Sequence, residues 1–152
     1  MFDKFKKEII PSHSQVIDRN DINNVKKVLK SKFLTQGPLV KQFAEKVCSK
    51  VNAKYGVSVN SATSALHIAY KSLGLNKDDY IWTTPNTFVA TSNSALLCNA
   101  NVDFVDIDPN TLNICPIKLS SKLADAKLKN KLPKIIVPVH FGGQSCDMKK
   151  IY

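Results

Sequence analysis

Apolar residues recur along this chain in two alternating patterns, one with helical spacing and one with the short runs of a buried strand. Helical spacing predicts helices after Asp18, from Pro38, and over residues 63–73, 88–97 and 116–128. Apolar runs predict strands over residues 55–59, 80–84, 102–106 and 134–139. Strands that alternate with helices at this spacing are typical of a mainly parallel sheet covered by helices on both faces. The sequence therefore predicts an α/β fold.

The same periodicity predicts which helix faces are apolar and, in the second and third helices, which residues are buried. In the first helix the apolar positions are Ile22, Val25, Val28 and Leu29. The second helix is expected to bury Leu39, Phe43, Ala44, Val47 and Val51. The helix over residues 63–73 is expected to bury Leu66, Ile68, Ala69 and Leu73, and Gly74 is expected to end it.

Residues 59–66 form the most informative segment, because an apolar strand leads through small residues directly into a helix. Ser61, Ala62, Thr63 and Ser64 are all small. The first N–H groups of a helix lack intrahelical partners and lie at its positive end, so an anion that can approach them is stabilised. An ordinary turn with a Ser or Thr N-cap has the same composition, so the segment alone leaves both interpretations open. Right-handed crossovers place this turn at the carboxyl edge of the sheet, where a ligand site is expected.

The formal net charge of +10 over 152 residues raises the question of nucleic-acid binding. Recognition of bases and phosphates relies on arginine, yet Arg19 is the single arginine among the 22 basic residues, and the lysines are dispersed. A nucleic-acid partner is therefore not expected, although the charge is compatible with polyanionic small molecules. No apolar run approaches the roughly 20 residues of a membrane span, and no signal-peptide pattern follows Met1, so a cytoplasmic protein without a membrane partner is expected.

The four cysteines show neither a CxxC pair nor zinc-ligand spacing, so no metal site is predicted. They are Cys48, Cys98, Cys115 and Cys146. Each is expected to be a reduced thiol in a packing role, with Cys146 a candidate reactive thiol because it lies in a predicted loop.

Five segments of the chain resemble known sequence motifs in their residues, order and spacing. They are FLTQGP (33–38), NSATSALH (60–67), PNTFVAT (85–91), VDFVDID (102–108) and VHFGG (139–143). Together they resemble the DegT/DnrJ-type sugar-nucleotide aminotransferases, which are fold type I enzymes that use pyridoxal 5'-phosphate (PLP). Within that family, the residues of these motifs are most similar to those of transaminases of pseudaminic acid biosynthesis.

The resemblance implies the amino-terminal half of the large domain of a fold type I, aspartate-aminotransferase-like enzyme. Residues 1–54 would be an amino-terminal helical segment, and residues 55–152 would be part of the PLP-binding large α/β domain. The implied parent activity is amino transfer from glutamate to a UDP-linked 4-keto-6-deoxy sugar for surface-glycan synthesis. PLP is the implied cofactor, UDP-sugar and glutamate are the implied substrates, and a homo-oligomer is the implied assembly.

The resemblance also implies roles for matched residues. The backbone of Ala62, with Thr63 and Ser64, would hold the cofactor phosphate, and Phe88 would lie over the pyridine ring, although a plain core phenylalanine remains the alternative. The implied contacts to the sugar nucleotide are Lys32, Phe33, Leu34, Thr35 and Ser61. Lys32 is equally compatible with a solvated lysine at a helix end, and a further family contact near Ser12 departs from the family pattern.

Three other polar residues at the predicted carboxyl edge are assigned no chemistry. His140 is expected to be a satisfied structural histidine, and Asp106 and Asp108 are expected to shape the turn at residues 108–110.

The main departure from the family is length, because its enzymes are much longer than 152 residues. In the family, the lysine that binds the cofactor covalently and the acid that pairs with the pyridine nitrogen lie downstream of the segment matching 139–143. None of the lysines here occupies that motif, so we expect no catalytic residue in these residues and no transamination by this chain alone. The alternative is a non-catalytic α/β module that binds a phosphate-bearing ligand or a partner chain.

Overall fold

A computed structural model describes residues 14–152, and the chain divides into two compact units, Met1–Ser58 and Val59–Tyr152. The first unit contains α1 (Arg19–Leu29) and α2 (Pro38–Val51). The second unit contains α3 (Ala62–Ser72), β1 (Tyr80–Thr83), α4 (Ala90–Leu96), β2 (Asn101–Phe104), α5 (Pro116–Leu128), β3 (Ile135–Ile136), a short 3-10 helix (Phe141–Gly143) and α6 (Met148–Ile151). All five predicted helices are confirmed.

Local sequence signals fix the starts of the first two helices. The side chain of Asp18 accepts the backbone N–H groups of Asn20 and Asp21 at 2.7 and 2.9 Å, and Asp21 accepts the N–H of Asp18 in return. This reciprocal pair is a capping box, which satisfies otherwise unpartnered amides of the first turn of α1. In α2, Pro38 is the first helical residue, where its missing N–H costs no hydrogen bond.

The predicted burial of the apolar face of α2 is wrong. Phe43, Val47 and Val51 are 63%, 44% and 64% exposed, Leu39 is also exposed, and Ala44 is half-buried. Helical spacing shows that a helix carries an apolar face, but it does not supply the surface that covers that face. Within the described part of the first unit, no layer of structure buries a residue of α2.

The predicted strand over residues 55–59 is also absent from the structure. Residues 55–59 form no strand, and Tyr55 and Val57 are about 80% exposed. An apolar run becomes a strand only where a neighbouring backbone completes the hydrogen-bond ladder. No strand of the described chain pairs with these residues.

The sheet lies in the second unit and has the order β2-β1-β3, with both pairings parallel. Ile81 on the central strand lies opposite Val102 on one side and Ile135 on the other. The predicted parallel sheet is confirmed, although the outer strands are shorter than predicted. β2 pairs with all four residues of β1, whereas β3 pairs with Ile81 and Trp82.

Two clusters of buried side chains cover the two faces of this sheet. Successive residues of a strand point to opposite faces, so Ile81 and Trp82 belong to different clusters. Ile81 packs with Tyr70, Leu75, Ala95, Cys98 and Ala100, which come from α3, α4 and their flanking turns. Trp82 packs with Val105, Ile114, Leu119, Ala126 and Cys146, which include residues of α5. Helices therefore cover both faces, as predicted.

The buried face of α3 differs from the predicted one. Tyr70 is 3% exposed and Leu66 is partly buried, whereas Ile68 and Leu73 are 50% and 61% exposed, and Ala69 is exposed. Leu66 and Tyr70 are four residues apart and share one face, whereas Ile68 lies on the opposite side of the helix and Leu73 is the C-cap residue at its end. The prediction underrated tyrosine, which can be buried when its hydroxyl finds a partner. Gly74, with φ of 74°, follows the helix end as predicted.

Lys134 ties the start of β3 to the turn that precedes β1. Its Nζ atom donates to the carbonyl of Gly74 at 2.7 Å and to Oδ2 of Asp79 at 2.9 Å. The hydrogen bond from Lys134 lowers the pKa of the Asp79 carboxyl below its ordinary value of 3.8. Because the folded pKa is the lower one, this stabilisation is present above 3.8 and is lost as the pH falls through the folded value.

We expect Lys134→Met to lower the free energy of unfolding at neutral pH and to flatten its acid dependence. The variant removes the group that favours ionised Asp79 in the folded state, so part of the stability lost on acidification is already gone. Urea unfolding at neutral pH and at about pH 3 measures both effects. Lys131→Met is the matched control, because exposed Lys131 forms no side-chain ion pair within residues 14–152. Equal acid dependence in wild type and Lys134→Met contradicts the prediction.

Candidate functional site

The first turn of α3 is organised by hydroxyl groups. Ser61 is the N-cap residue, and its Oγ accepts the backbone N–H of Ser64 at 3.1 Å. The Ser64 hydroxyl donates to Oδ1 of Asn60 at 2.7 Å. Ser61 is therefore the serine cap that one interpretation of the sequence expected. The cap uses one amide of the turn and leaves others available.

The amides of Ala62 and Thr63 are the available donors. Neither N–H has an acceptor within the described residues, and Ala62 is exposed while Thr63 is half-buried. Both amides lie at the positive end of an eleven-residue helix. Small side chains and hydroxyl groups surround them, so the phosphate group of a ligand fits the donors present. The capping and the anion-binding interpretations are thus compatible.

Phe88 lies in the loop between β1 and α4 and is 77% exposed. The alternative of a core phenylalanine is therefore wrong. The loop itself is held in place, since Nδ2 of Asn86 donates to the carbonyl of Leu112 at 3.3 Å. The carbonyl of Phe88 accepts the N–H of Thr91 at 3.0 Å, which joins the residue to the first turn of α4. An exposed aromatic ring on an anchored loop can stack on a planar ligand.

Two buried hydroxyl groups join α4 to α3. Ser94, which is fully buried, donates from Oγ to the carbonyl of Thr63 at 3.2 Å. The Tyr70 hydroxyl donates to the carbonyl of Thr91 at 3.0 Å. Neither residue was predicted from the sequence, because a serine or a tyrosine within a helix carries no signal for the helix it contacts.

The loop that follows β3 is structural, and His140 belongs to it. Nδ1 of His140 accepts the backbone N–H of Cys146 at 3.0 Å, which confirms the expected structural role. Asn113, 3% exposed, accepts the N–H of Phe141 at 2.9 Å and donates to the carbonyl of Gln144 at 3.0 Å. Both polar ends of this buried amide are satisfied, as burial requires. Sequence analysis missed Asn113, whose partners lie about 30 residues away.

The two aspartates after β2 form local structural contacts. Oδ1 of Asp108 accepts the N–H groups of Asn110 and Thr111 at 2.8 and 3.3 Å, which confirms that it forms the predicted turn. Asp106 pairs with Nζ of Lys118 at the start of α5. The hydrogen bond from Lys118 lowers the pKa of the Asp106 carboxyl. Both groups are exposed, so the pair contributes little stability.

The cysteines are free thiols, and three of them are buried. Cys146 is 5% exposed, its Sγ contacts the carbonyl of Val139 at 3.2 Å, and burial raises the pKa of its thiol. The prediction of a reactive Cys146 is therefore wrong. Among residues 14–152 no cluster of three metal-ligating side chains occurs, and no helix there is both long and apolar enough to cross a bilayer.

The residues predicted to contact a sugar nucleotide lie mainly in the first unit. Phe33 and Leu34 are 55% and 64% exposed and line a groove of about 670 Å³ between α1 and α2. Nζ of Lys32 lies 5.6 Å from the centre of the Phe33 ring. Thr35 is exposed in the same loop, and Ser12 lies outside the described residues. The structure therefore gathers Ala62, Thr63 and Ser64 with Ser61 at one helix start, and links Phe88 to them through α4.

Comparison with known proteins places this geometry in context. The chain is 40% identical over 146 residues to the spore coat polysaccharide biosynthesis protein SpsC of Bacillus subtilis, covering 96% of this chain and 36% of that protein. It is 44% identical over 137 residues to the UDP-4-amino-4,6-dideoxy-N-acetyl-beta-L-altrosamine transaminase of Campylobacter jejuni, covering 90% of this chain and 35% of that protein.

A solved structure gives the same result. The aminotransferase PseC of Helicobacter pylori, involved in the biosynthesis of pseudoaminic acid, superposes with a TM-score of 0.79 at 36% identity, covering 90% of this chain and 35% of PseC. The predicted fold class, that of the fold type I PLP enzymes, is confirmed. The chain spans about a third of the length of these relatives. The family match extends over residues 15–152, and the chain belongs to the DegT/DnrJ/EryC1/StrS aminotransferase family.

Proposed function

We propose that this chain provides the phosphate-binding and ring-stacking part of a PLP-dependent sugar-nucleotide aminotransferase. The observation that carries the proposal is the pair of amides at Ala62 and Thr63, which have no acceptor among residues 14–152 and are framed by small residues at the start of α3. Aminotransferases of this family use PLP, and this turn offers its phosphate group both hydrogen-bond donors and the positive end of a helix.

Each residue has a role that its own chemistry supports. The amides of Ala62 and Thr63 bind phosphate oxygens, and the hydroxyls of Thr63 and Ser64 complete the set of donors. Phe88 stacks on the planar ring and fixes its orientation. When bound, PLP supplies an electron-accepting ring for chemistry on an amino group, while the protein supplies binding and orientation.

We propose the substrates on the same basis. The named relatives act in pathways of sugar and polysaccharide biosynthesis, and the amino acceptor proposed here is a UDP-linked 4-keto-6-deoxy sugar, with glutamate as the donor. Lys32, Phe33, Leu34 and Thr35, with Ser61, are the proposed contacts to the sugar nucleotide. A cationic lysine beside an exposed aromatic ring suits a ligand that carries both a diphosphate and a base. The proposed setting is a cytoplasmic homo-oligomer that binds neither nucleic acid nor membrane.

A second candidate function is a non-catalytic module that binds a phosphate-bearing ligand or a partner chain. The observation that favours it is the large apolar surface of the described residues. Val57, Ile117 and Leu128 are each at least 80% exposed, and α2 has an uncovered apolar face. Exposed apolar surface of this extent is typical of a protein that docks against another.

Titration of the 152-residue chain with PLP tests both candidates. We expect PLP to raise the melting temperature, since a ligand at 100 times its Kd contributes about 2.7 kcal/mol to the folded state. Pyridoxal, which lacks the phosphate, is expected to stabilise the chain far less. Without a lysine bound to the cofactor, borohydride is expected to reduce the free aldehyde of PLP and to leave no pyridoxyl group attached to the protein, as judged by mass spectrometry.

The outcomes distinguish the two candidate functions from each other and from a chain that has neither function. Phosphate-dependent stabilisation, together with a pyridoxyl group fixed to one lysine by borohydride, indicates a lysine of this chain at the cofactor and contradicts the expectation of no catalytic residue. Stabilisation by inorganic phosphate equal to that by PLP favours the module, because the ring then adds no affinity. Equal stabilisation by PLP and pyridoxal contradicts phosphate binding at α3.

A further inference from the structure

Ser94 is the most completely buried polar side chain that contacts the phosphate-binding turn. It lies in α4 with 0% exposure, and its hydroxyl donates to the carbonyl of Thr63, 31 residues earlier. A buried hydroxyl without a partner is destabilising, so this position favours the geometry in which the hydrogen bond forms. The hydrogen bond therefore fixes the first turn of α3 relative to α4.

Tyr70 forms a second hydrogen bond between the same helices. Its ring belongs to the buried cluster around Ile81, and its hydroxyl donates to the carbonyl of Thr91 at 3.0 Å. Burial raises the pKa of the phenol to about 12, so the hydroxyl keeps its proton at physiological pH and remains a donor. This contact fixes the first turn of α4 against α3.

The two hydrogen bonds end on the two parts of the proposed cofactor site. Thr63 is one of the residues whose amide would bind the phosphate. Thr91 donates its N–H to the carbonyl of Phe88, the residue proposed to stack on the ring. In PLP the phosphate and the ring are joined covalently by a short linker, so a protein that binds both must hold its two binding elements at one spacing.

We propose that Ser94 and Tyr70 are positioning residues that set the spacing between the phosphate-binding turn of α3 and Phe88. Neither side chain touches the cofactor in this arrangement, because each acts through a backbone carbonyl. The inference rests on the proposed function, and it adds a reason for two buried hydroxyl groups between α3 and α4. It predicts that their loss weakens ligands that engage both elements more than ligands that engage one.

The test compares three probes on the 152-residue chain and its variants. Inorganic phosphate engages the turn of α3 alone, pyridoxal engages the ring site, and PLP engages both. We expect Ser94→Ala and Tyr70→Phe each to weaken PLP binding by about 10-fold, the scale of one lost hydrogen bond. The Kd values of inorganic phosphate and pyridoxal are expected to change less than two-fold.

Ser92→Ala is the matched control, because the Ser92 hydroxyl bonds to Val89 within the start of the same helix. It is expected to leave all three Kd values unchanged. Ser94→Cys, which keeps the volume and a weak donor, is expected to recover part of the PLP affinity. If Ser94→Ala does not fold, as judged by circular dichroism, Tyr70→Phe carries the comparison.

The result that overturns the inference is an equal change for all three probes, since a role in packing alone does not distinguish them. Unchanged PLP affinity in both variants overturns it as well. Wild-type chain that shows no phosphate-dependent PLP binding overturns the proposed function, and the inference with it. If the wild-type chain binds PLP through its phosphate but the variants keep the wild-type ratios between the three Kd values, the inference is overturned and the proposed function is not.

Discussion

Replacing Trp82 by alanine is expected to lower the free energy of unfolding of the Val59–Tyr152 unit by about 3–5 kcal/mol, the range for removing a buried aromatic side chain. Trp82 is 2% exposed and is the centre of the cluster that packs β1 against α5. Nζ of Lys122 lies 4.9 Å from its ring centre and also pairs with Asp103 at 2.7 Å. The substitution removes both the apolar packing and the cation–π contact.

The Trp82→Phe variant distinguishes the contribution of the aromatic ring from that of the buried indole N–H. The indole N–H of Trp82 is buried and has no acceptor within residues 14–152. Phenylalanine keeps an aromatic ring under Lys122 and eliminates this unpaired donor, so we expect a smaller loss than for alanine. Leu128→Ala serves as control, because Leu128 is 85% exposed at the end of α5.

Urea unfolding followed by circular dichroism measures these changes, and the control is expected to lie within about 0.5 kcal/mol of wild type. Similar midpoints for Trp82→Ala and Leu128→Ala contradict the assignment of Trp82 to the core.

Elements with local start signals were the ones that sequence reasoning placed well. Pro116 fixes the start of α5, and the predicted range of residues 116–128 matches the helix observed. Asp18 does the same for α1 through its capping box. These signals act within one turn of the chain, so they hold whatever the rest of the fold does.

Features that depend on a distant partner were the ones that sequence reasoning missed. The strand predicted over residues 55–59 needed a neighbouring backbone, and the apolar face of α2 needed a covering layer. Periodicity carries information about the element itself and none about its partner.

In the candidate site, too, local features were predicted and contacts between distant residues were missed. The small residues at the start of α3 are a local signal, and the structure confirms the helix start and the serine cap there. The contacts made by Ser94, Tyr70 and Asn113 join residues 21 to 31 positions apart, and no local pattern marks them. A buried hydroxyl or amide is informative only once its partner is known.

Replacing Ala62 by aspartate is expected to weaken PLP binding by at least about 100-fold, or about 2.7 kcal/mol. Ala62 is exposed in the first turn of α3, where a carboxylate interacts favourably with the helix end. The helix is therefore expected to be as stable as in the wild type or more stable. The same carboxylate repels the phosphate dianion and competes for the amides of Ala62 and Thr63.

Ala62→Asn is the matched control, since it has nearly the same shape as Ala62→Asp without the charge. If charge decides the effect, the asparagine variant loses far less PLP affinity, and the difference shrinks as salt screens the exposed site. Equal losses in the two variants mean that shape rather than charge is responsible. Unchanged PLP affinity in Ala62→Asp, measured by fluorescence titration, contradicts phosphate binding at this helix start. Pyridoxal tests the role of charge further, because it carries no phosphate. Its affinity is expected to be nearly insensitive to the aspartate.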